Sequence, residues 1–395
     1  MAGTTTQFLS HPQMQREEKM LNREVFYTDP ENYRLANQGV AKISFPPAPD
    51  GMETLRSELN TFVCDGAYAH GLSKILNAFL GAAGRGGSAP AVWISGFFGS
   101  GKSHLASMLA ALWTNLKFED GAEAQSLVQD IPDDVAMPLK ELRLAARRMG
   151  GVLAAGDTLG HGPSDPAEAT LNIILRAVGL PTDLRAARVA FWLNDLRILD
   201  KVKATLGANF ERDIRAFMLS PRFHAAVLKE QPELATDARA LSQLLKSQFP
   251  EPPPVTVDTL ETMVREALLL GRKEIPLTLI VLDEVQQFIR QDPALTLKIQ
   301  TIAERLSGRF DGRILLVSTG QQALSDVKDL QKLLDRFPVH IALGEADVDS
   351  VIRKTVLRKD PGKTTAIGDM MKTNAGEVSR HLRGSKLGPV DIQLH

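Results

Sequence analysis

One stretch of the chain matches a complete phosphate-binding loop, in which spaced glycines precede a lysine and a hydroxyl residue. Its members are Gly96, Phe97, Phe98, Gly99, Ser100, Gly101, Lys102 and Ser103. Glycines permit the backbone conformations in which successive N–H groups face one phosphate group. We expect Lys102 to reach the terminal phosphates of a nucleotide and the Ser103 hydroxyl to ligate Mg²⁺. His104, the next residue, is included among the predicted contacts of the nucleotide.

A second motif lies where an apolar run ends in two acidic residues. Residues 277–282 are apolar except at Thr278, and Asp283 and Glu284 follow them directly. Downstream of a phosphate loop, this pattern is typical of a Walker B element. Asp283 would hold Mg²⁺, directly or through water, and Glu284 would orient and polarise the attacking water. Since phosphoryl transfer depends mainly on positioning and charge stabilisation, the two acids and Lys102 predict nucleotide hydrolysis.

Polar residues stand at the end of a third apolar run, residues 313–320. Ser318, Thr319 and Gln321 would emerge at the carboxyl end of a parallel strand, beside the terminal phosphate. A polar side chain in that position can sense the phosphate, and we assign this catalytic role to Thr319. The alternative is a plain transition from strand to turn.

An arginine near the end of the next predicted helix, Arg336, lies between Asp335 and Phe337. A guanidinium can match the charge that develops on a transferred phosphoryl group through two hydrogen bonds. We therefore consider Arg336 a candidate arginine finger, supplied to the nucleotide of a neighbouring subunit, and expect a homo-oligomer. An ordinary solvated surface charge is the competing interpretation.

These residues need a parallel sheet with helices around it to bring them together. Residues 91–95 have the composition of a buried strand before the loop, and an apolar stripe at helical spacing runs from 105 to 116. The runs at 277–282 and 313–320 add two strands, joined through a helix in a right-handed parallel crossover. The predicted fold class is therefore α/β, a P-loop NTPase sheet flanked by helices.

A long, mainly helical region separates the two motifs. Lys102 and Asp283 are 181 residues apart, whereas a helix, a strand and a crossover helix need roughly 50–60. We expect one helix over residues 184–206 and another that begins at Asp258, with Glu261 three residues later as a capping box. Residues 151–155 are a candidate core strand within the region. The inserted helices offer a surface for a partner or an effector.

Five parts follow from these assignments. They are an N-terminal extension (1–50), a first part of the ATPase core (51–117), the helical insertion (118–257), a second part of the core (258–343), and the start of a helical lid with a C-terminal tail (344–395). Within them, residues 39–45 are a candidate strand and residues 55–80 one or two helices.

Composition restricts the remaining possibilities. A formal net charge of −1 gives the whole chain no general attraction to nucleic acid or anionic lipid. Cys64 is the single cysteine, which excludes an internal disulfide framework and a cysteine-based metal cluster; we expect it to be a small buried side chain. The first 20 residues lack a signal-peptide core, and no run approaches the ~20 apolar residues of a membrane span. The expected location is cytoplasmic.

The order of these parts resembles that of AAA+ ATPases. More narrowly, residues 92–105, including the run from Gly96 to His104, look like the loop of the large BREX-type phage-defence ATPases, the BrxC/PglY family. The run Ser-Thr-Gly-Gln-Gln-Ala-Leu at 318–324 is also similar to that family, and the likeness is firm over 92–105 and 277–324.

This resemblance implies ATP and Mg²⁺ as ligands and a role in bacterial defence against phage. It also implies a DNA-modifying partner and other components of the same system. Members of the family are far longer, so the resemblance implies that this chain is an N-terminal piece.

Other functions compete with an ATP-driven motor or switch. A nucleotide-gated scaffold would bind ATP, hydrolyse it slowly, and report its state through the insertion. A small-molecule kinase would need lid arginines, for which Arg143, Arg147 and Arg148 are candidates. Direct contact with DNA phosphates would use basic side chains on one predicted helix: Arg185, Arg188, Arg197, Lys201 and Lys203. For both basic groups a solvated helix face is the simpler interpretation.

Overall fold

The computed structural model describes residues 22–27, 43–83, 87–160, 162–290, 292–321, 331–344, 353–354 and 357–384. The chain divides into two compact units. The larger unit comprises residues 36–350, and the smaller unit joins residues 1–35 to residues 351–395.

A six-stranded sheet forms the centre of the larger unit. Its strands are β1 (Ser44–Phe45), β2 (Val92–Gly96), β3 (Val152–Thr158), β4 (Leu277–Asp283), β5 (Ile314–Gly320) and β6 (Val339–Leu343). They lie in the order β1-β3-β4-β5-β2-β6, with β1 antiparallel to β3 and the other pairs parallel. Every residue of β4 and β5 is buried, as expected for parallel strands covered on both faces.

Helices precede, connect and cover these strands. In the larger unit they are α1 (Met52–Thr61), α2 (Gly66–Ala83), α3 (Lys102–Thr114), α4 (Ala124–Leu127), α5 (Asp133–Ala146), α6 (Pro166–Ala177), α7 (Leu184–Asp195), α8 (Leu199–Leu206), α9 (Phe210–Arg215), α10 (Pro221–Glu230), α11 (Ala238–Gln248), α12 (Val257–Leu269), α13 (Val285–Ile289) and α14 (Pro293–Gly308). A 3-10 helix, Gln331–Arg336, precedes β6. Within the described ranges, no helix combines the length and apolar character that a bilayer crossing needs. The predicted mixed α/β architecture is confirmed.

The two faces of the sheet are covered by different helices. Trp93, Ile280 and Leu316 share one continuous apolar core with residues of α6, α12 and α14. Because successive strand side chains point to opposite faces, their neighbours Ile94 and Val281 face the other side. There α3 contacts β2, β3, β4 and β5, while α2 packs against β6 and α5.

The crossover from β3 to β4 contains the extra helices. It runs through α6, then α7–α11, then α12, and ends at β4, which lies next to β3 in the sheet. Helices α7 to α11 pack on one another and extend the core that α6 and α12 form on the sheet. β3, which overlaps the candidate strand at 151–155, lies between β1 and β4 in the sheet.

The single helix predicted over residues 184–206 is wrong. The structure has two helices, α7 and α8, separated by residues 196–198. Arg197 adopts a left-handed conformation with φ 60°. The N–H of Ile198 donates to the Leu193 carbonyl at 3.0 Å, and that of Arg197 to the Asn194 carbonyl at 2.8 Å. These bonds close the end of α7, a role that glycine usually fills.

The start predicted for the helix at Asp258, which is α12, is also wrong. Thr256, not Asp258, caps α12, and its Oγ1 accepts a hydrogen bond from the Thr259 N–H at 3.1 Å. Glu261 does not form a capping box; its carboxylate accepts a hydrogen bond from Arg305 of α14 at 2.9 Å. A threonine just before a helix satisfies the same orphan N–H groups as an aspartate, so the two candidates differ little by sequence alone.

The smaller unit pairs its two chain segments through the backbone. Phe26 and Lys359 form an antiparallel bridge, and the Tyr27 N–H donates to the Arg358 carbonyl at 2.8 Å. A helix, α15 (Thr364–Gly384), follows. Residues 345–352, at the start of the predicted lid, and residues 39–42 of the candidate strand lie outside the described residues.

Cys64 occupies the turn between α1 and α2 and is buried, which confirms that prediction. Desolvation raises the pKa of its thiol to about 12, with smaller contributions from Asp134 and Asp65. The thiol is therefore protonated at neutral pH and acts as a small apolar side chain.

Candidate functional site

The glycine loop, residues 97–101, connects β2 to α3 and depends on its glycines. Gly99 and Gly101 have φ values of 84° and 85°, a region that other residues rarely adopt. At Gly96 a Cβ atom would lie 2.4 Å from the Ser100 hydroxyl oxygen and 2.9 Å from the Leu343 carbonyl oxygen. Side chains at Gly99 and Gly101 would therefore strain the backbone, and one at Gly96 would displace its neighbours.

Lys102 begins α3 and folds back over the glycine loop. Its Nζ donates hydrogen bonds to the carbonyls of Gly96 at 2.9 Å and Phe97 at 3.0 Å. Desolvation lowers the pKa of the ammonium, and the nearby carboxylates of Asp283 and Glu284 oppose that shift. The structure thus brings Lys102 and the two predicted acids within electrostatic range of one another.

Asp283 ends β4 and is held from two neighbouring strands. Its side chain is buried; Oδ1 accepts a hydrogen bond from the Thr319 hydroxyl at 2.5 Å, and Oδ2 accepts a longer one from the Thr158 hydroxyl at 3.4 Å. Thr319 belongs to β5, and Thr158 is the register partner of Asp283 on β3. The carboxylate orientation is therefore fixed by both flanking strands.

Thr319 links both acids. While it donates to Asp283, its oxygen accepts a hydrogen bond from the backbone N–H of Glu284 at 2.9 Å. Glu284 adopts a left-handed conformation with φ 57° and occupies the N-cap position of α13, with no capping hydrogen bond from its side chain; the residue is half-buried. Thr319 is fully buried. Its hydroxyl is engaged by the acids, so the observed contacts are those of a positioning group.

The other two polar residues predicted at the end of β5 have different surroundings. The Gln321 N–H donates to the Gln286 side-chain oxygen at 2.8 Å, which ties the end of β5 to α13. Ser318 is buried, and its hydroxyl has no hydrogen-bond partner among the described residues. Sequence reasoning missed Thr158 and Gln286, because their roles depend on strand order and on the turn after β4.

His104 and Ser103 occupy the first turn of α3 and are half-buried. The His104 ring packs edge-on against Phe62 at 5.5 Å and lies 3.9 Å from the Glu58 carboxylate. Desolvation lowers the pKa of His104 to about 4 and raises that of Glu58. His104 is therefore neutral at pH 7 and adds a polar ring, not a charge, to the site.

Two loop residues point outward and one inward. Phe97 and Phe98 are 42% and 65% exposed, the latter being the most exposed aromatic side chain of the larger unit's described residues. The Ser100 hydroxyl is buried, with no partner within the described part of the chain. Buried hydroxyls normally find partners, so the loop contains an unsatisfied polar group in this conformation.

Arg336 lies near the amino-terminal ends of the parallel strands, whereas the glycine loop lies at their carboxyl ends. This arginine lies three residues before Val339, the first residue of β6. Val339 pairs with Val92 at the start of β2, whereas the glycine loop follows the far end of β2. Its guanidinium contacts Glu304 of α14 at 3.2 Å. Four strand residues, about 13 Å, separate the two edges. The structure therefore does not bring Arg336 to the loop of its own chain.

The basic residues considered for DNA contact have intramolecular partners in three of five cases. Arg185 pairs with Glu251 at 3.0 Å, and Lys201 pairs with Glu230 at 3.1 Å. Lys203 donates to the Gly179 carbonyl at 3.3 Å.

The arginines considered for a kinase lid are exposed and lie far from the glycine loop. Arg143 is in the last turn of α5, and Arg147 and Arg148 follow that helix just before β3 begins, near the amino-terminal ends of the strands. The kinase alternative therefore loses its candidate lid arginines.

Two oxygen donors are available to a metal ion near the glycine loop, the Asp283 carboxylate, which is held from both sides, and the Ser103 hydroxyl. Mg²⁺ is commonly bound by one or two protein oxygens, with waters and substrate phosphates completing its shell. No group of three or more His, Cys, Asp or Glu side chains that could enclose a metal occurs in the described ranges.

Neither a protein-family model nor a solved structure matches this chain.

The hydrogen bonds to Asp283 predict unequal effects of two isosteric substitutions. Thr319→Val should lower the free energy of unfolding by about 2 kcal/mol, because a buried carboxylate loses a short charge-assisted hydrogen bond. Thr158→Val, which removes only the 3.4 Å contact, should cost less than about 1 kcal/mol. Urea denaturation at pH 7 measures both. Equal losses would mean that Thr319 has no special part in holding the acid.

The buried state of His104 predicts a pH-dependent stability. Between pH 6.5 and about 4 the unfolded chain protonates this histidine and the folded chain does not, so acidification lowers the free energy of unfolding. The shift allows at most about 3 kcal/mol, and partial exposure reduces this to about 1–2 kcal/mol. His104→Gln should therefore lose less stability than the wild type between pH 7 and pH 4.5.

The exposed His70 of α2 offers the matched control for that measurement. A weaker pH dependence in His104→Gln than in His70→Gln would identify the His104 ring as its source. A His104→Gln profile that parallels the wild type would show that the ring is freely solvated.

Proposed function

We propose that this chain is an AAA+-like P-loop ATPase that binds ATP on residues 96–104 and hydrolyses it with Asp283 and Glu284. The observation that carries the proposal is the position of Lys102. Its ammonium spans the glycine loop at the start of α3 and lies within electrostatic range of both acids at the end of β4. A desolvated cation beside backbone N–H groups and a helix N-terminus is suited to phosphate oxygens.

Binding would use an exchange of hydrogen bonds. In the structure Lys102 donates to two neutral carbonyls. Phosphate oxygens offer stronger charge-assisted acceptors, so Lys102 would turn toward the β- and γ-phosphates. The positive φ angles of Gly99 and Gly101 hold the loop in a shape that presents backbone N–H groups to an anion. The exposed side chains of Phe97 and Phe98 make the outer surface of the loop apolar.

Ser103 and Asp283 would hold Mg²⁺ when it binds together with ATP. The ion supplies charge neutralisation between the β- and γ-phosphates. Thr319 and Thr158 fix the carboxylate of Asp283 in advance, so little reorganisation is needed when the charge of the ligand arrives.

Glu284 is the group proposed to act on the attacking water. Its backbone is fixed by the hydrogen bond to Thr319 and by its position as the cap of α13. A half-buried carboxylate at this point can accept a hydrogen bond from water and orient it toward the γ-phosphate. Thr319 is proposed to serve by positioning both acids.

The biological part of the proposal rests on the wording of the loop and of residues 318–324. It assigns the chain to a bacterial phage-defence system of the BREX type, in the cytoplasm, as a motor or switch. Other components of that system, including a DNA-modifying protein, are the proposed partners. The extra helices α7–α11 are the proposed surface for them, because they extend from the β3–β4 crossover and are not needed to form the sheet.

A nucleotide-gated scaffold is the second candidate, and the place of Arg336 favours it for an isolated chain. With Arg336 at the opposite edge, a single copy has only Lys102 among the predicted catalytic cations near its own loop. Hydrolysis by one copy would then be slow, and binding alone would set the state of the chain.

Glu284→Gln should bind Mg²⁺–ATP with near-normal affinity but lose ATP turnover by about a hundredfold or more, because the amide cannot polarise water as a carboxylate does. Isothermal titration and phosphate release measure the two properties. Lys102→Ala, as the non-binding control, should lose ATP affinity, while Lys117→Ala at an exposed lysine should leave it unchanged. Tight ATP binding by Lys102→Ala would refute the site.

An arginine supplied by a neighbouring copy predicts that specific activity rises with protein concentration. Arg336→Ala should abolish that rise and leave ATP binding intact, because the residue does not contact its own loop. Phosphate release measured over a hundredfold range of concentration checks this. Arg309→Ala, an exposed arginine at the end of α14, is the matched control. Activity that is flat with concentration in the wild type supports the scaffold.

A further inference from the structure

We infer that Tyr68, outside the phosphate-loop motif, is a positioning residue that sets the orientation of one peptide group in the glycine loop. The inference rests on the proposed function, because it concerns how the loop presents its N–H groups to phosphate. It assigns to α2 a direct part in nucleotide affinity.

The contact between Tyr68 and the loop is direct. Tyr68 lies in the first turn of α2 and is buried. Its hydroxyl donates a hydrogen bond to the carbonyl of Ser100 at 3.0 Å. The ring also packs edge-on against Phe62 at 6.0 Å, so the hydroxyl is carried by a buried, packed side chain.

Gly101 is shaped to receive that hydroxyl. A Cβ atom built on Gly101 would lie 2.2 Å from Tyr68 Oη and 3.2 Å from its Cζ atom. The absence of a side chain is therefore required for two reasons at once, the positive φ of 85° and the space that Tyr68 fills. Gly101, which precedes Lys102, and Tyr68 of α2 therefore fit against each other without room for a side chain between them.

The hydrogen bond determines where the Gly101 N–H points. Ser100 C=O and Gly101 N–H belong to one trans peptide group, in which the carbonyl and the N–H point in opposite directions. Because the carbonyl is held toward Tyr68, the N–H is held away from it. Rotation of this peptide changes ψ of Ser100 and φ of Gly101, and glycine accepts a wide range of φ, so the hydrogen bond from Tyr68 favours one orientation over the others.

Tyr68 stands on a helix that is fixed to the sheet. Lys74 of α2 donates to the His340 carbonyl of β6 at 3.1 Å. Gly71 lies so close to β6 that a Cβ there would be 3.0 Å from Ile341. β6 pairs directly with β2, the strand that leads into the loop. The tyrosine hydroxyl is therefore held by the same rigid frame as the loop, as a preorganised site requires.

The test compares Tyr68→Phe with the wild type in ATP binding and in competition by inorganic tripolyphosphate. Removal of one hydroxyl should weaken ATP binding about three- to tenfold, and it should weaken tripolyphosphate by the same factor because only phosphate contacts change. KM for ATP should rise accordingly, while kcat stays within about twofold.

Phe79→Leu serves as the control for general destabilisation. Phe79 is buried on the same helix and packs on Trp113 at 4.8 Å, about 16 Å along the helix from Tyr68. This variant should melt at a lower temperature yet bind ATP and tripolyphosphate as the wild type does. Parallel losses of affinity in both variants would mean that Tyr68 acts only through stability.

The remaining outcomes separate the two proposals. If the wild type binds ATP and Tyr68→Phe binds ATP and tripolyphosphate equally well, the role of Tyr68 is refuted and the proposed function stands. If Tyr68→Phe weakens ATP but not tripolyphosphate, the side chain acts on the nucleoside and not on the peptide, which also overturns the inference. If the wild type binds no ATP, the proposed function fails and this inference with it.

Discussion

The parallel register of β2, β4 and β5 is the constraint on which the candidate site depends. β5 lies between the other two strands and pairs with both, so its carboxyl end is adjacent to the glycine loop on one side and to the acids on the other. Thr319 occupies that middle position and bonds to Asp283 and to the Glu284 backbone. A shift of one residue in this register would turn Thr319 to the opposite face of the sheet and release both acids. The burial of every residue in β4 and β5 opposes such a shift.

The features of the site that can be predicted from sequence are those whose residues lie close together in the chain. The loop needs its glycines, lysine and hydroxyl in one short segment, and the acids directly follow a buried strand, so position in the chain is sufficient to find them. Thr158 and Tyr68 are different, because each acts on a residue more than thirty positions away through strand order or helix packing. Neither has a neighbouring residue pattern that would mark it. Thr319 can be predicted because it stands near the end of an apolar run, but its contact with Asp283 depends on strand pairing that the sequence does not reveal.

The two errors in helix boundaries have a common physical origin. Arg197 closes α7 in a left-handed conformation that glycine adopts more easily, and Thr256 caps α12 where Asp258 has a similar preference. At α12 the two candidate caps differ little in intrinsic preference, and at α7 the folded structure holds Arg197 in a conformation that is intrinsically unfavourable, so tertiary packing determines both boundaries. For α12 the packing that determines the boundary can be identified, because Arg305 of α14 forms ion pairs with both Asp258 and Glu261. An acid that pairs with a neighbouring helix is no longer available to cap its own.

Electrostatics give the two edges of the sheet different roles. At the carboxyl ends of the strands Lys102 lies within electrostatic range of two carboxylates, and the N-terminus of α3 adds a positive dipole end. On the proposed function, an incoming phosphate would meet both a cation and backbone N–H groups. At the amino edge α5 and α14 end, and exposed arginines such as Arg147 and Arg309 complement the negative ends of their dipoles. Arg336 belongs to this second edge but is paired with Glu304, a carboxylate that is itself largely exposed. Arg336 is half-buried, but solvent screens the carboxylate of Glu304, so the ion pair is worth little. On the proposed function, the bound phosphates of a second copy would compete with Glu304 for the guanidinium at small cost, and the arginine would change partners when two copies meet.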